Sequence, residues 1–180
     1  MADADPLAPL IRTPRVREFR ARFAPLMAAH GFVRRADFLP EQIPRLLGNL
    51  VLLERTERGF RYRLVGSNIA GLHGRDLTGS YLSEWPAATS SMIAAQYEAL
   101  LAHRRPILAH YLGPAYSGGR FHIVQRRWEK LALPLAFGAA ADGVLVCADQ
   151  CGEADAWPDC FAGTPDRGCW CLEPGVSQRA

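Results

Sequence analysis

Histidines and cysteines are the side chains here whose types could support chemistry. The five cysteines, Cys147, Cys151, Cys160, Cys169 and Cys171, all lie at or beyond position 147. A thiolate can ligate a metal or respond to redox, and Cys147-x-x-x-Cys151 and Cys169-x-Cys171 have spacings that can ligate, yet the usual Cys-x-x-Cys pair is missing. An odd number of thiols argues for reduced side chains rather than a disulfide framework. His73, His110 and His122 form no metal-spaced pair and read as surface or strand residues. His103 ends a helical pattern, where the dipole favours it. There is no Ser-His-Asp arrangement, phosphate loop or pair of carboxylates on one recognisable scaffold, so no catalytic residue and no metal site is assigned. What remains is a set of large side chains, several with polar handles: Tyr62, Leu64, Ile69, Trp85, Tyr97, Leu101, Phe121 and Trp128. Such a set packs a core or walls a small-molecule pocket, and both readings stay open.

The stretch that must position them runs from Gly59 to Tyr81. Phe60, Tyr62 and Leu64 alternate with Arg61, Arg63 and Val65, the period-2 pattern of a strand with one packed and one wet face. Gly66 ends the run, Ser67 or Asn68 can cap a short helix through Ile69 and Leu72, and Gly71, Gly74 and Gly79 forbid one long helix. Asp76 and Thr78 are placed to bond nearby backbone N–H groups. A positive φ is expected at Gly66.

Upstream, residues 1–31 form a lead-in and a helix. Thr13 reads as its N-cap, Pro14 as its first residue and Gly31 as its stop, with Pro25 kinking or ending it. Phe19, Phe23 and Leu26 share one face; the helix packs on its own domain or pairs with a second copy, and these three are the dimer candidates. Pro40 and Pro44 allow at most a short helix before the apolar run Leu50–Leu53, a first strand joined to the second by a polar hairpin. A long helix covers about 88–103, with Ile93, Tyr97, Leu100 and Leu101 lying over the sheet. Three further strands follow: Ile107–Tyr111, ending at Gly113-Pro114, then Phe121–Leu135, then Val144–Cys147. Residues 32–150 form one domain, and 151–180, broken by Gly and Pro, read as a loosely ordered extension.

Tyr62-Arg-Leu-Val-Gly-Ser67, followed by Gly74-Arg-Asp-Leu-Thr-Gly-Ser-Tyr-Leu82, resembles a PAS domain of the single-domain type found in alphaproteobacteria. The likeness extends upstream to Arg35–Pro40 and Leu46–Leu53 and downstream to Leu131–Leu135. It implies an α+β fold: a five-stranded antiparallel sheet with helices over one face, plus the N-terminal helix. It also implies sensing without naming the signal, and Arg63 and Asp76, which match its pattern, would form an ion pair or a signalling contact. A covalent flavin sensor needs a cysteine in the helical layer, where none falls, and His103 is the sole haem candidate in a familiar place, so no cofactor is expected. The expected function is a non-catalytic regulatory module acting in trans on an unknown protein partner. It is expected to be a homodimer, open to gating by a small ligand; a small-molecule binding protein without a signalling partner is the alternative.

The net charge of +3, from 21 basic and 18 acidic residues, gives little support to nucleic-acid binding. With no run of 18 apolar residues and no signal-peptide pattern, a cytoplasmic protein without membrane contact is expected.

Overall fold

The computed structural model describes residues 7–116, 123–152 and 169–172. Helix α1 spans Pro14–His30: the Thr13 hydroxyl accepts from the Val16 N–H, Pro14 needs no donor in the first turn, and Gly31 at φ 72° closes the end by donating to Met27 O. The helix continues through Pro25 instead of ending there. Strand β1 (Val33–Arg34) follows, and single 3-10 turns carry the chain past Pro40 and Pro44 to β2 (Leu50–Thr56) and β3 (Gly59–Val65). These two strands run further into the polar hairpin than expected and pair as far as Thr56 with Gly59, which has φ 103°. Then come α2 (Ser67–His73), α3 (Ala87–His103), β4 (Ile107–Tyr116), β5 (Ile123–Ala136), β6 (Gly143–Gln150) and β7 (Cys169–Leu172).

Among the described residues the strands form one sheet in the order β3-β2-β6-β5-β4-β7. The five long strands pair antiparallel, as expected, while two short ones make the sheet mixed: β1 lies parallel to the end of β5 and β7 parallel to β4. Part of the expected loose extension is thus a strand on the sheet. Strand β4 also runs past Gly113-Pro114, beyond its pairing with β7, where a sheet edge tolerates a proline.

The continuous apolar runs Leu50–Leu53, Leu131–Leu133 and Val144–Ala148 are buried on both sides, as strands covered on two faces must be. Leu50, Leu52, Leu108, Leu131, Leu133, Leu135, Leu145 and Cys147 pack against α1 and the segment that follows it. Val51, Leu53, Trp128, Ala132, Val144 and Val146 pack beneath α2, α3 and the connecting segment with Leu77 and Leu82. Phe19 and Phe23, two of the three dimer candidates, are 0% and 1% exposed on the first face, with half-buried Leu26 packed beside them, so of the two readings of α1 the one in which it packs on its own domain describes these side chains. The reason is that the sheet has a second apolar face, and burying two phenylalanines on it is worth about 2–3 kcal/mol each.

Candidate functional site

On the α2/α3 side, Tyr62 of β3, Ile69 of α2, Tyr97 and Leu101 of α3 and Trp128 of β5 are buried in one cluster, with half-buried Trp85 packed against it. These expected neighbours come together. Leu64 does not. The β2–β3 register shifts between Leu52 and Leu53, so that Leu52 faces Leu64 but Leu53 faces Tyr62. That bulge at Arg63 reverses the side-chain phase, and Leu64 packs on the α1 face while Val65 joins the α2/α3 face. Phe121 and His122 lie outside the described residues.

The cluster also holds residues that motif reasoning missed. Lys130, the sole lysine of the chain, is only 7% exposed. Its Nζ lies 3.5 Å from Gln96 Oε1, 5.1 Å from the Tyr97 ring centre and 5.8 Å from that of Tyr111. Burial lowers its pKa to about 8, because an ammonium gives up hydration that few partners replace. Gln96 is 1% exposed, and its Nε2 has no hydrogen-bond partner; Trp85 Nε1 is likewise buried without one. Tyr97 packs edge-on to Phe60 at 5.4 Å, and Tyr111 stacks on Trp128 at 6.4 Å. Burial raises the Tyr62 and Tyr97 phenols, which therefore stay protonated. The signal for Lys130 was present in the alternation Trp128, Lys130, Ala132, and that for Gln96 in its place four residues before Leu100 on the apolar stripe.

On the opposite face, the residue before Lys130 does something different. Glu129 is fully buried and accepts from Arg12 N at 2.6 Å, Thr13 N at 2.7 Å, Thr13 Oγ1 at 2.6 Å and His110 Nε2 at 2.8 Å. Burial alone would raise its pKa, but the hydrogen bonds from His110, Thr13 and Arg12 outweigh it and hold the carboxyl below its usual range. His110, read as a strand or surface histidine, is a strand residue but 1% exposed. A second chain of polar contacts runs from α2 to α1: Asn68 donates to Asn49, Asn49 to Ala148 O and Asp149, and Arg15 pairs with Asp149 at 2.9 Å. An open cleft of about 460 Å³ lined by Pro14, Arg15, Glu18, Arg45 and Asp149 lies beside α1, away from the aromatic cluster.

The Gly59–Tyr81 corner is built differently from its expected form. Gly66 has φ −65° and ψ 150°, ordinary extended values, and it precedes α2 with no side-chain cap from Ser67 or Asn68. A Cβ there would stand 2.2 Å from Leu47 O and 2.5 Å from Gly48 C, so glycine is required by close backbone approach, not by positive φ. Positive φ occurs instead at Gly74, which ends α2 at 68°, and at Gly79, at 89°. Arg63 and Asp76 are not partners: Arg63 lies 3.5 Å from Glu54, while Asp76 accepts from Thr78 N and Oγ1. Gly79 and Ser80 fasten this segment to β3 through Tyr62, by Gly79 N to Tyr62 O at 2.8 Å and Tyr62 N to Ser80 O at 3.0 Å.

His103 is exposed in the last turn of α3. Among the described residues no group of three or more His, Cys, Asp or Glu side chains is placed to hold a metal ion. Cys147 is buried on the α1 face and Cys151 half-buried; Cys160 lies outside the described residues. No described helix is long and apolar enough to cross a membrane.

A family model for the PAS domain matches residues 12–140, taking in α1 and β1 to β5. The chain belongs to the PAS domain family. Among solved structures it is similar to the PAS domain of BvgS from Bordetella pertussis, at 14% identity over 75% of this chain and 89% of that one, with a TM-score of 0.33. No curated protein matches it. Membership makes this PAS chain a sensory or regulatory module in general terms.

Proposed function

We propose that this PAS domain is a non-catalytic regulatory module that acts in trans through protein–protein contact, gated by a small ligand beneath α3. A second copy of the chain or another protein serves as the partner. The observation that supports this reading is the back-to-back placement of two consecutive β5 residues. Glu129 holds the start of α1 on one face, and Lys130 sits under Gln96 and Tyr97 on the other. A ligand that moves β5 by a fraction of an ångström changes the geometry of short charged hydrogen bonds at α1, which depend steeply on distance and angle. A shift in α1 docking is then what a partner reads.

Hydrogen exchange in the full chain tests this, with and without the low-molecular-weight fraction of a bacterial extract. The expected result is altered exchange both in α3 and in the first turns of α1, with the composition of the fraction unchanged after incubation. Changes confined to α3 would leave a binding protein without an output; consumption of a compound would mean catalysis. Either result refutes the proposal.

A further inference from the structure

Resting on the ligand-gated reading above, we propose that the ligand held beneath α3 is a small organic carboxylate, its two oxygens taken by Lys130 Nζ and Gln96 Nε2. Lys130 is the one buried lysine or arginine among the described residues, and the groups around its Nζ, Gln96, Tyr97 and Tyr111, include no acid. Its ammonium has three N–H donors, yet the nearest acceptor, Gln96 Oε1, stands at 3.5 Å, beyond the usual range for a charged hydrogen bond. The same Gln96 side chain is buried with its Nε2 unpartnered. Two neighbouring side chains from α3 and β5 therefore present unfilled donors in one place, with the Tyr97 and Tyr111 rings as flat walls.

Unfilled donors call for an acceptor, and an uncompensated buried cation calls for a negative charge. A carboxylate supplies both in one planar group, whereas a phosphate would bring more charge than one ammonium balances. The aromatic walls suit a short apolar or aromatic body behind the carboxylate. The buried amine already has its pKa lowered to about 8, and a bound anion would raise it again.

Because the chain has a single lysine, lysine-selective ¹⁵N labelling gives one side-chain Nζ resonance. The full chain is titrated near neutral pH with acetate, butyrate and benzoate and, in parallel, with acetamide, butyramide and benzamide. At least one acid is expected to move the Nζ resonance saturably and to raise its titration midpoint, while its amide does neither. Gln96→Leu should weaken that acid about tenfold, the loss of one charge-assisted hydrogen bond, and Lys130→Met should abolish binding in a chain that still melts cooperatively. If none of the acids moves the resonance, or acid and amide move it equally, the carboxylate assignment is overturned. An amide that binds and alters α1 exchange would end this assignment while leaving the sensory reading intact. Failure of both compound classes to alter α1 exchange would count against both.

Discussion

Replacing Lys130 by methionine should make this domain more stable, although it deletes the one buried lysine or arginine among the described residues. Burial lowers the amine from 10.5 to about 8, and each pKa unit is worth about 1.4 kcal/mol, so keeping the charged form buried costs about 3 kcal/mol near neutral pH. The ring faces of Tyr97 at 5.1 Å and Tyr111 at 5.8 Å offset part of this, at about 0.5–1 kcal/mol each. Methionine has nearly the same length and volume and fills the space without a charge. The net gain is then about 1–2 kcal/mol, or about 3–6 °C in melting temperature for a domain of this size. The gain depends on pH. Between about 8 and 10.5 the unfolded wild-type chain binds more protons at this site than the folded one, so wild-type stability rises with pH across that window. The advantage of the variant is therefore fullest below pH 8 and fades by about 10.5. Paired denaturant melts across this range isolate the effect, because the other titrating groups are common to both proteins. A methionine variant less stable than wild type at neutral pH, or an advantage that stays constant up to pH 10.5, would refute the reasoning.

Glu129→Gln should cost about 3 kcal/mol and speed amide exchange in the first turns of α1, because it removes the charged acceptor of Arg12, Thr13 and His110. Equal exchange rates in the two proteins would show that α1 is held elsewhere. Since Glu129 is held below its ordinary value of 4.5, its contribution is present above that pH and is lost as pH falls through the folded value. Loosening of α1 should therefore appear on acidification, and should be absent from the glutamine variant. Gly66→Ala places a Cβ 2.2 Å from Leu47 O and should cost more than about 3 kcal/mol, whereas Gly79→Ala meets nothing within 4 Å and should cost only about 1 kcal/mol for its φ of 89°. Equal melting temperatures for the two variants would contradict the packing described at Leu47–Gly48. The Cys147 thiol, buried with its pKa raised by burial, should resist alkylation in the native protein, while half-buried Cys151 reacts. Peptide mapping that finds Cys147 labelled before Cys151 would disprove this.

The signals that depend on near neighbours were legible in the chain itself. Thr13-Pro14 and Gly31 bound α1 because capping involves residues within a turn of one another. The long helix and the five long strands follow from spacing and turn residues, and the residues of Tyr62–Leu82 themselves carry the family likeness. Most of the aromatic cluster also follows, since period 2 and period 3.6 place Tyr62, Tyr97 and Trp128 on inward faces. Which face is inward is another matter, because it depends on register against a partner strand. A bulge at Arg63 separates Tyr62 from Leu64, and nothing in Tyr-Arg-Leu announces it. The spacing of Phe19 and Phe23 puts them on one face of α1 without deciding what covers it; the apolar run Val144–Ala148, buried on both faces, requires a second cover, and α1 supplies it. Glu129 meets Arg12 and Thr13 from more than a hundred residues away. Such a contact leaves no local trace, because chain closure over that distance is decided by the burial of whole faces and not by the residues that happen to meet.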